Sequence, residues 1–287
     1  MATMGNLRLS TKESMRAHIL DTYFGEGEYF AQYEQFDSVY VKLSHGPYNY
    51  LSGTGNAKKV TEQIIASAYE HCGDCIGGYL YPIALDPYTA TQQADAYLEA
   101  VFYVENIMQI PVRYHANDLE RTNNTDDKGK YLGKYAVKTK AITEKLDKEL
   151  DNVMLYFDPY TYRELFVWWD HVWGGYQNKF DFIIAQYNFS RWDDSLITVP
   201  NDNTQPFLLP EIPRENVKMW QYSDKYPAGD FFPDSAAADV NVWLGTDIEF
   251  RELLGQLSRW DRLKLLTAKF KRGLHGSKVS ENRRQIT

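Results

Sequence analysis

Arg113-Tyr114-His115-Ala116-Asn117-Asp118-Leu119-Glu120-Arg121 decides how the rest of the chain is arranged. The stretch reads as the end of a strand that presents two carboxylates, Asp118 and Glu120, to one side. Side chains alternate along a strand, so positions i and i+2 share a face with their Cα atoms roughly 6.5–7 Å apart. Carboxylates paired in this way are the usual equipment for cutting a glycosidic bond. Asp-x-Glu occurs twice more, at Asp147-Lys148-Glu149 and Asp247-Ile248-Glu249. Both of those runs have helical patterning, and on a helix i and i+2 do not face each other. Only Asp118 and Glu120 stand in a strand context, followed by the polar, turn-rich run Thr122-Asn123-Asn124-Thr125-Asp126-Asp127. An exposed acidic strand end would look the same in isolation, so the flanking sequence has to supply the context.

Upstream, Ala17-His18-Ile19-Leu20-Asp21 reads as a short strand ending in an acid. Val39-Tyr40-Val41-Lys42-Leu43 is a β-rich strand entering the turn Ser44-His45-Gly46-Pro47. Asn56 to His71 has helical spacing, with Val60, Ile64, Ile65 and Ala68 on one stripe. Gly77-Gly78-Tyr79-Leu80-Tyr81-Pro82 is the next strand. Thr89 can cap the helix after it, whose stripe is Ala94, Tyr97, Leu98, Val101 and Phe102. Downstream, Ala136 to Leu150 is a charged amphipathic helix, Val153 to Phe157 a strand stopped by Asp158-Pro159, and Tyr160 to Trp169 a short helix. Phe182 to Tyr187, Val217 to Ser223 and Ala238 to Trp243 are strands, with a loop rich in Pro and Asn from Thr198 to Pro213 and a closing helix from about Asp247 to Leu257.

The count comes to roughly eight strands, with helices between the early ones and mostly loops between the late ones. The expected fold class is therefore α/β, an irregular TIM-like (β/α) barrel over residues 16–257, with an N-terminal arm (1–15) and a basic C-terminal tail (258–287). Chemistry in such barrels sits at the C-terminal ends of strands. Asp21, Asp118 with Glu120, and Asp239 are the strand-associated acids that fit this placement. Carboxylates converging on one mouth crowd one another and raise at least one pKa, which is how a carboxyl stays protonated as a general acid.

A net charge of −8 argues against a nucleic acid wrapped over the whole surface. From Arg262 onward, however, Lys264, Lys269, Lys271, Arg272, Lys278, Arg283 and Arg284 face one acid, Glu281. A basic tail on an acidic body points to an anionic partner. Aromatics reach 15%, which suits sugar rings and interfaces as well as cores. No N-terminal run is apolar enough for a signal peptide, and no stretch approaches the roughly 18 apolar residues of a membrane span. Synthesis in the cytosol without a cleaved signal is the expectation. Cys72 and Cys75 form a Cys-x-x-Cys, but zinc needs two further ligands and no second Cys pair exists. A redox motif should open a helix, whereas this one follows a helix and precedes a strand, so two small residues in an αβ turn is the reading adopted. No metal or cofactor is expected, and His45, His115 and His171 are scattered as structural residues are.

Several short motifs fall in one order over about residues 17–256. They are Ile19-Leu20-Asp21, then Val39-Tyr40-Val41-Lys42-Leu43-Ser44-His45-Gly46, then Gly78-Tyr79-Leu80-Tyr81, then Gln93-Ala94. Asp118-Leu119-Glu120 follows, then Ile183-Ile184-Ala185-Gln186-Tyr187, Trp220-Gln221-Tyr222-Ser223 and Asp239-Val240-Asn241. This order resembles the glycoside hydrolase family 25 lysozymes, the muramidases that cut peptidoglycan. Two departures stand out. The first motif continues as Thr22-Tyr23-Phe24 where the family has a small residue and Ser. Arg113, His115 and Asn117 replace apolar residues on the face opposite Asp118, so that face is either wet or paired with another element.

The resemblance implies hydrolysis of the β-1,4 bond between N-acetylmuramic acid and N-acetylglucosamine with net retention. Glu120 matches the general acid/base, and Asp118 the acid that assists the substrate's own acetamido group as internal nucleophile. Asp21 and Asp239 match the remaining acids of the mouth, and Tyr81, Tyr187 and Trp220 are candidate sugar-contacting walls. The implied partner is bacterial peptidoglycan, and the basic tail would add anionic wall polymers or virion proteins. A phage lysin, made in the host cytoplasm and reaching the wall through lysis or in a particle, fits this reading. A non-catalytic wall-binding or virion structural module on the same barrel is the alternative, and a glycosidase acting on another amino-sugar polymer is a third.

Overall fold

The structure is a computed structural model and describes residues 17–22, 36–83, 87–120, 130–187, 205–226 and 238–258. The expected arm, residues 259–287 of the expected tail and the turn-rich run after Glu120 lie outside the described residues. The strands are β1 (His18–Thr22), β2 (Ser38–His45), β3 (Tyr48–Asn49), β4 (Ile76–Tyr81), β5 (Val112–Asp118), β6 (Val153–Phe157), β7 (Asp181–Ala185), β8 (Val217–Tyr226) and β9 (Ala238–Trp243). β3 is a two-residue hairpin arm on β2, and pairing of β1 with β2 closes the other eight into a barrel. The expected α/β barrel is the observed fold. Helices α1 (Asn56–Cys72), α2 (Ala90–Phe102), α3 (Lys130–Glu149), α4 (Pro159–Tyr162) and α5 (Asp170–Trp173) fall between the strands up to β7, and α6 (Asp247–Leu253) follows the last strand.

Pairing is parallel from β1 round to β8, but β9 runs antiparallel to both β8 and β1. This corrects one expectation. Asp239 stands at the beginning of its strand, not at its end. Because β9 is reversed, its beginning lies at the rim where the parallel strands end, and Asp239 pairs in register with Asp21.

Alternation sorts each strand into an inner and an outer face. Ile19, Tyr40, Tyr79, Tyr114, Ala116, Met154, Tyr156, Ile183, Met219 and Trp243 pack together inside the barrel. Leu20, Val39, Val41, Leu80, Leu155, Phe157, Phe182, Ile184 and Val240 pack outward against the helices. The interior is filled with tyrosine to an unusual degree, and glycine makes room for it. A Cβ on Gly77 would lie 2.3 Å from the Tyr114 ring, whose hydroxyl is 2.9 Å from Ser38 Oγ.

The helices form where sequence chemistry directs them. Val60, Ile64, Ile65 and Ala68 are the buried stripe of α1. Thr89 closes a capping box with Gln92 at the start of α2, which satisfies backbone donors that the first turn leaves open. Helix α3 starts six residues before the predicted Ala136 and so runs through Gly133, a poor helix former. The reason is packing, since a Cβ there would meet the Trp169 indole at 2.3 Å. Cys72 closes α1 and Cys75 stands in the turn before β4, both as thiols outside any disulfide, and burial pushes the Cys72 thiol up to about 12.

The polar outer face of β5 is paired throughout, buried at His115 and Asn117 and half-exposed at Arg113. His115 Nδ1 lies 2.9 Å from the Tyr97 hydroxyl of α2, Asn117 Nδ2 donates to Thr143 Oγ1 of α3 at 2.8 Å, and Arg113 pairs with Asp74 at 2.7 Å. Polar residues can replace apolar ones here because each meets a partner from a covering element. Burial lowers the His115 pKa to about 3. Unfolding releases that constraint, so the unfolded chain binds a proton near pH 6.5 that the folded chain refuses until about pH 3. His115 therefore costs stability as pH falls through that window, by at most about 1.4 kcal/mol per pH unit. His115→Gln should flatten the acid-side fall of unfolding free energy by up to one proton relative to wild type. Denaturant melts at several pH values between those limits check this, and equal slopes for the two proteins would refute it.

Candidate active site

The acids singled out in the sequence arrive from separated strands at one end of the barrel. Asp21 is the penultimate residue of β1 and is 6% exposed, while Asp118 ends β5 and is 7% exposed. Asp239 pairs with Asp21, and Tyr156 of β6 pairs with Asp118. Glu120 lies two residues past Asp118, on its side of the chain. Burial pushes the Asp118 pKa well up; Glu120 pushes it further, Lys42 draws it down, and Asp21 and Asp239 raise it again. Those charges are felt together only because they share one mouth. Burial likewise raises Glu120, while Lys42 and a hydrogen bond from Tyr156 lower it and Asp158 raises it. Burial is the largest cause at both carboxyls, and the Glu120 charge adds to it at Asp118, so each holds its proton more tightly than an exposed carboxyl does.

Lys42 brings a cation to this cluster. Its Nζ lies 4.7 Å from the centroid of the Tyr81 ring and 5.3 Å from that of Tyr79, so aromatic faces help hold it beside the acids. Tyr40 lies beneath, its acidity weakened first by burial and then by Asp21, Asp118 and Asp239. On the other side, the Tyr156 hydroxyl donates to Gln221 Oε1 at 2.5 Å and to Glu120 Oε1 at 3.3 Å. A phenol has one proton, and the shorter contact takes the larger share of it. Tyr187 also donates to Gln221 Oε1, at 3.3 Å. Gln221 thus ties Tyr156 and Tyr187 together and fixes the wall behind Glu120.

A cleft of about 460 Å³ opens beside Glu120, between the ends of β6 and β7 and the segment 205–212. Asp158 borders it but is occupied as the cap of α4. Its Oδ1 accepts from the Tyr160 and Thr161 N–H groups at 2.8 and 3.1 Å, and its Oδ2 from the Thr161 hydroxyl at 2.5 Å. It is therefore a structural carboxylate, although its charge reaches Glu120.

Of the three aromatic walls read from the sequence, two face this region. Burial raises the Tyr81 pKa, as do Asp118 and Glu120, and Tyr187 lines the cleft. Trp220 is a correction. It is 2% exposed, packs in the outer core, and donates through Nε1 to the Gln186 carbonyl at 2.6 Å. The neighbouring Gln221 takes the inner face, so Trp220 must point outward. Sequence reasoning did not single out Lys42, Tyr156 or Gln221 as site residues. Each falls within a strand that carries none of the singled-out acids, and its inward facing follows from register across strands: Tyr156 pairs with Asp118, Gln221 with Asn241, and Lys42 lies two residues past Tyr40, the partner of Asp21. Tyr160 and Phe207, on the cleft walls, lie in loop or helix-start positions that carry no periodic signal.

No protein-family model matches the chain, and no curated protein matches it. Among solved structures, the catalytic domain of an endolysin from a bacteriophage of Listeria monocytogenes is similar over 84% of this chain and 98% of that one, with a TM-score of 0.55 and 16% identity. A spore cortex lytic enzyme of Clostridium perfringens, SleM, is similar over 79% of this chain and 67% of that one, with a TM-score of 0.52 and 13% identity. At these identities the likeness establishes the fold: the chain has the barrel of an endolysin catalytic domain and of a cortex-lytic enzyme.

Proposed function

We propose that the chain is a peptidoglycan hydrolase that cuts the β-1,4 bond between N-acetylmuramic acid and N-acetylglucosamine, with Glu120 as acid/base and Asp118 assisting the substrate acetamido group. The observation that carries this reading is the convergence of Asp118, Asp21, Asp239 and Glu120 on one mouth beside Lys42. A buried pair of carboxyls that share a proton is the equipment for moving one to a leaving oxygen and back. The fold that the chain shares with an endolysin catalytic domain and a cortex-lytic enzyme favours a wall polymer as the substrate.

The chemistry follows from the two positions. In the free protein the proton belongs to the Asp118–Glu120 pair. Substrate sorts it: an acetamido N–H donates to Asp118, which favours its ionised form, and the glycosidic oxygen accepts from Glu120. As that proton moves, the bond from C1 to the leaving oxygen breaks and the acetamido oxygen bonds to C1. Glu120, now a carboxylate, takes a proton from water while the water oxygen bonds to C1 and the C1–acetamido bond breaks. One water is consumed, Glu120 ends protonated, and two displacements at C1 retain its configuration. Asp21 and Asp239 hold the sugar and keep Asp118's proton affinity high, while Tyr81 and Tyr187 form walls.

The test is clearing of a Gram-positive wall suspension, with the new reducing ends identified by mass after borohydride reduction. Reduced N-acetylmuramic acid is the expected product. Reduced N-acetylglucosamine would move the assignment to a different bond, and binding to the wall with no new reducing ends would make the barrel a non-catalytic module.

A further inference from the structure

The single proton of the Tyr156 hydroxyl has two acceptors within reach, Gln221 Oε1 at 2.5 Å and Glu120 Oε1 at 3.3 Å. Burial pushes the phenol pKa well up, and the charges of Glu120, Tyr187 and Asp118 push it further, so Tyr156 stays a donor through the neutral range. The nearer acceptor is a fully buried amide on the inner face of β8. Gln221 Oε1 also accepts from the Tyr187 hydroxyl at 3.3 Å, while Gln221 Nε2 has no hydrogen-bond partner among the described residues. A buried donor left open is destabilising, and an apolar side chain at this position would avoid it. The end of the amide that the site uses is therefore its oxygen. Ala185 of β7 stands in register with Gln221, and its methyl leaves room for Tyr156 of β6 to reach across.

We propose that Gln221 is a positioning residue for proton transfer: it draws the Tyr156 hydroxyl away from Glu120 in the free protein and releases it once Glu120 becomes a carboxylate. The proposal rests on the hydrolase reading above, in which Glu120 gives up a proton and later takes one back. A neutral Glu120 at 3.3 Å competes poorly with an amide oxygen at 2.5 Å. An ionised Glu120 competes well, because a hydrogen bond to a charged acceptor is roughly twice as strong as one to a neutral acceptor. The phenol then turns to Glu120 Oε1 without losing its proton, and Gln221 Oε1 keeps the Tyr187 hydroxyl as its donor. When water returns a proton to Glu120, the phenol turns back. Glu120 is thereby left ready to act as an acid before the bond breaks, and is supported as a base after it.

The test follows two readings in the full chain: kcat/KM against pH on a peptidoglycan tetrasaccharide, and the titration of the Glu120 carboxyl by carbon NMR. Gln221→Met keeps the length of the side chain and loses the acceptor, so Tyr156 has only Glu120 to serve. The carboxylate is then favoured from the outset. The alkaline limb of the profile and the Glu120 titration should both move to lower pH by about one unit, a tenfold loss of proton affinity. Asp118 of β5, Lys42 of β2, Tyr81 of β4, Tyr135 of α3, Asp158 after β6 and Tyr187 after β7 also face Glu120 or its cleft. All of them are unchanged by the substitution, and a second comparison isolates the phenol: in a Tyr156→Phe background, Gln221→Met should move neither reading. A shift that survives without the phenol, or no shift with it present, overturns the proposal and leaves the hydrolase reading standing. If Gln221→Met does not fold, Tyr187→Phe leaves Oε1 to Tyr156 alone and should move both readings to higher pH, and an unmoved or lowered reading there overturns the proposal equally. A wild type that hydrolyses no wall fragment overturns the hydrolase reading itself, and the role of Gln221 with it.

Discussion

Glu120→Gln is expected to lower hydrolysis of soluble wall fragments by about 10²–10⁴-fold, the range over which a positioned acid/base contributes. The amide keeps the shape of the carboxyl and the contact near Tyr156, so fold and substrate binding should persist. What disappears is the proton that moves to the leaving oxygen. Removing one acid also leaves Asp118 without its strongest charged neighbour. Asp118 should then ionise more readily, and any residual activity should lose the steep pH dependence of a proton-sharing pair. The measurement is kcat/KM on a purified tetrasaccharide across pH, with binding to insoluble wall as the control for folding. Activity close to wild type in Glu120→Gln would remove the catalytic assignment. The same loss accompanied by loss of wall binding would point to a folding defect instead.

Phe157→Ala is expected to cost about 3–5 kcal/mol, the range for truncating a fully buried aromatic ring. Phe157 is 0% exposed and sits in a ring cluster with Phe182, Tyr162 and Phe166 at centroid distances of 5.1, 5.4 and 5.5 Å. Truncation leaves a cavity among aromatic edges that cannot close without moving β6 or α4. For a domain with about 5–15 kcal/mol in hand, that is a large share. A fall in thermal midpoint of about 8–15 °C is the corresponding readout. Phe157→Leu should recover most of it. A fall of less than a few degrees in Phe157→Ala would mean that the cluster contributes little. Asp158 follows directly and caps the helix carrying Tyr160. Damage at Phe157 should therefore also blunt activity before the barrel melts.

Much of this could be read from the chain because the relevant signals are local. The stripe of α1, the Thr89 cap of α2 and the limits Ala238–Trp243 of β9 follow from spacing and capping chemistry, and the structure reproduces them. Asp21, Asp118, Glu120 and Asp239 were legible because acids at strand ends are conspicuous. Strand direction was not legible. Nothing in Ala238-Asp239-Val240-Asn241-Val242-Trp243 states that it runs against its neighbours, so Asp239 was assigned to the wrong end of its strand while falling at the right rim. Trp220 was misread because Trp-Gln-Tyr offers two aromatic residues and a polar one, and only pairing decides which faces inward. Here the polar residue took the interior, since Tyr156 and Tyr187 supply its hydrogen bonds. The early start of α3 was hidden because Gly133 signals a helix break unless the Trp169 ring against it is known.

The reversed last strand also bears on when the protein becomes competent during its synthesis. β1 emerges first, and its open edge is filled only by β9, with the Trp243 N–H reaching the Ala17 carbonyl at 2.9 Å. Contacts so distant in sequence form late, because loop closure must precede them. A ribosome that has delivered Asp118 and Glu120 has therefore not yet delivered the partner strand that carries Asp239. Chains that stop short of β9 hold Asp118 and Glu120 without the strand that closes the barrel on β1, so they are expected to lack the closed mouth altogether.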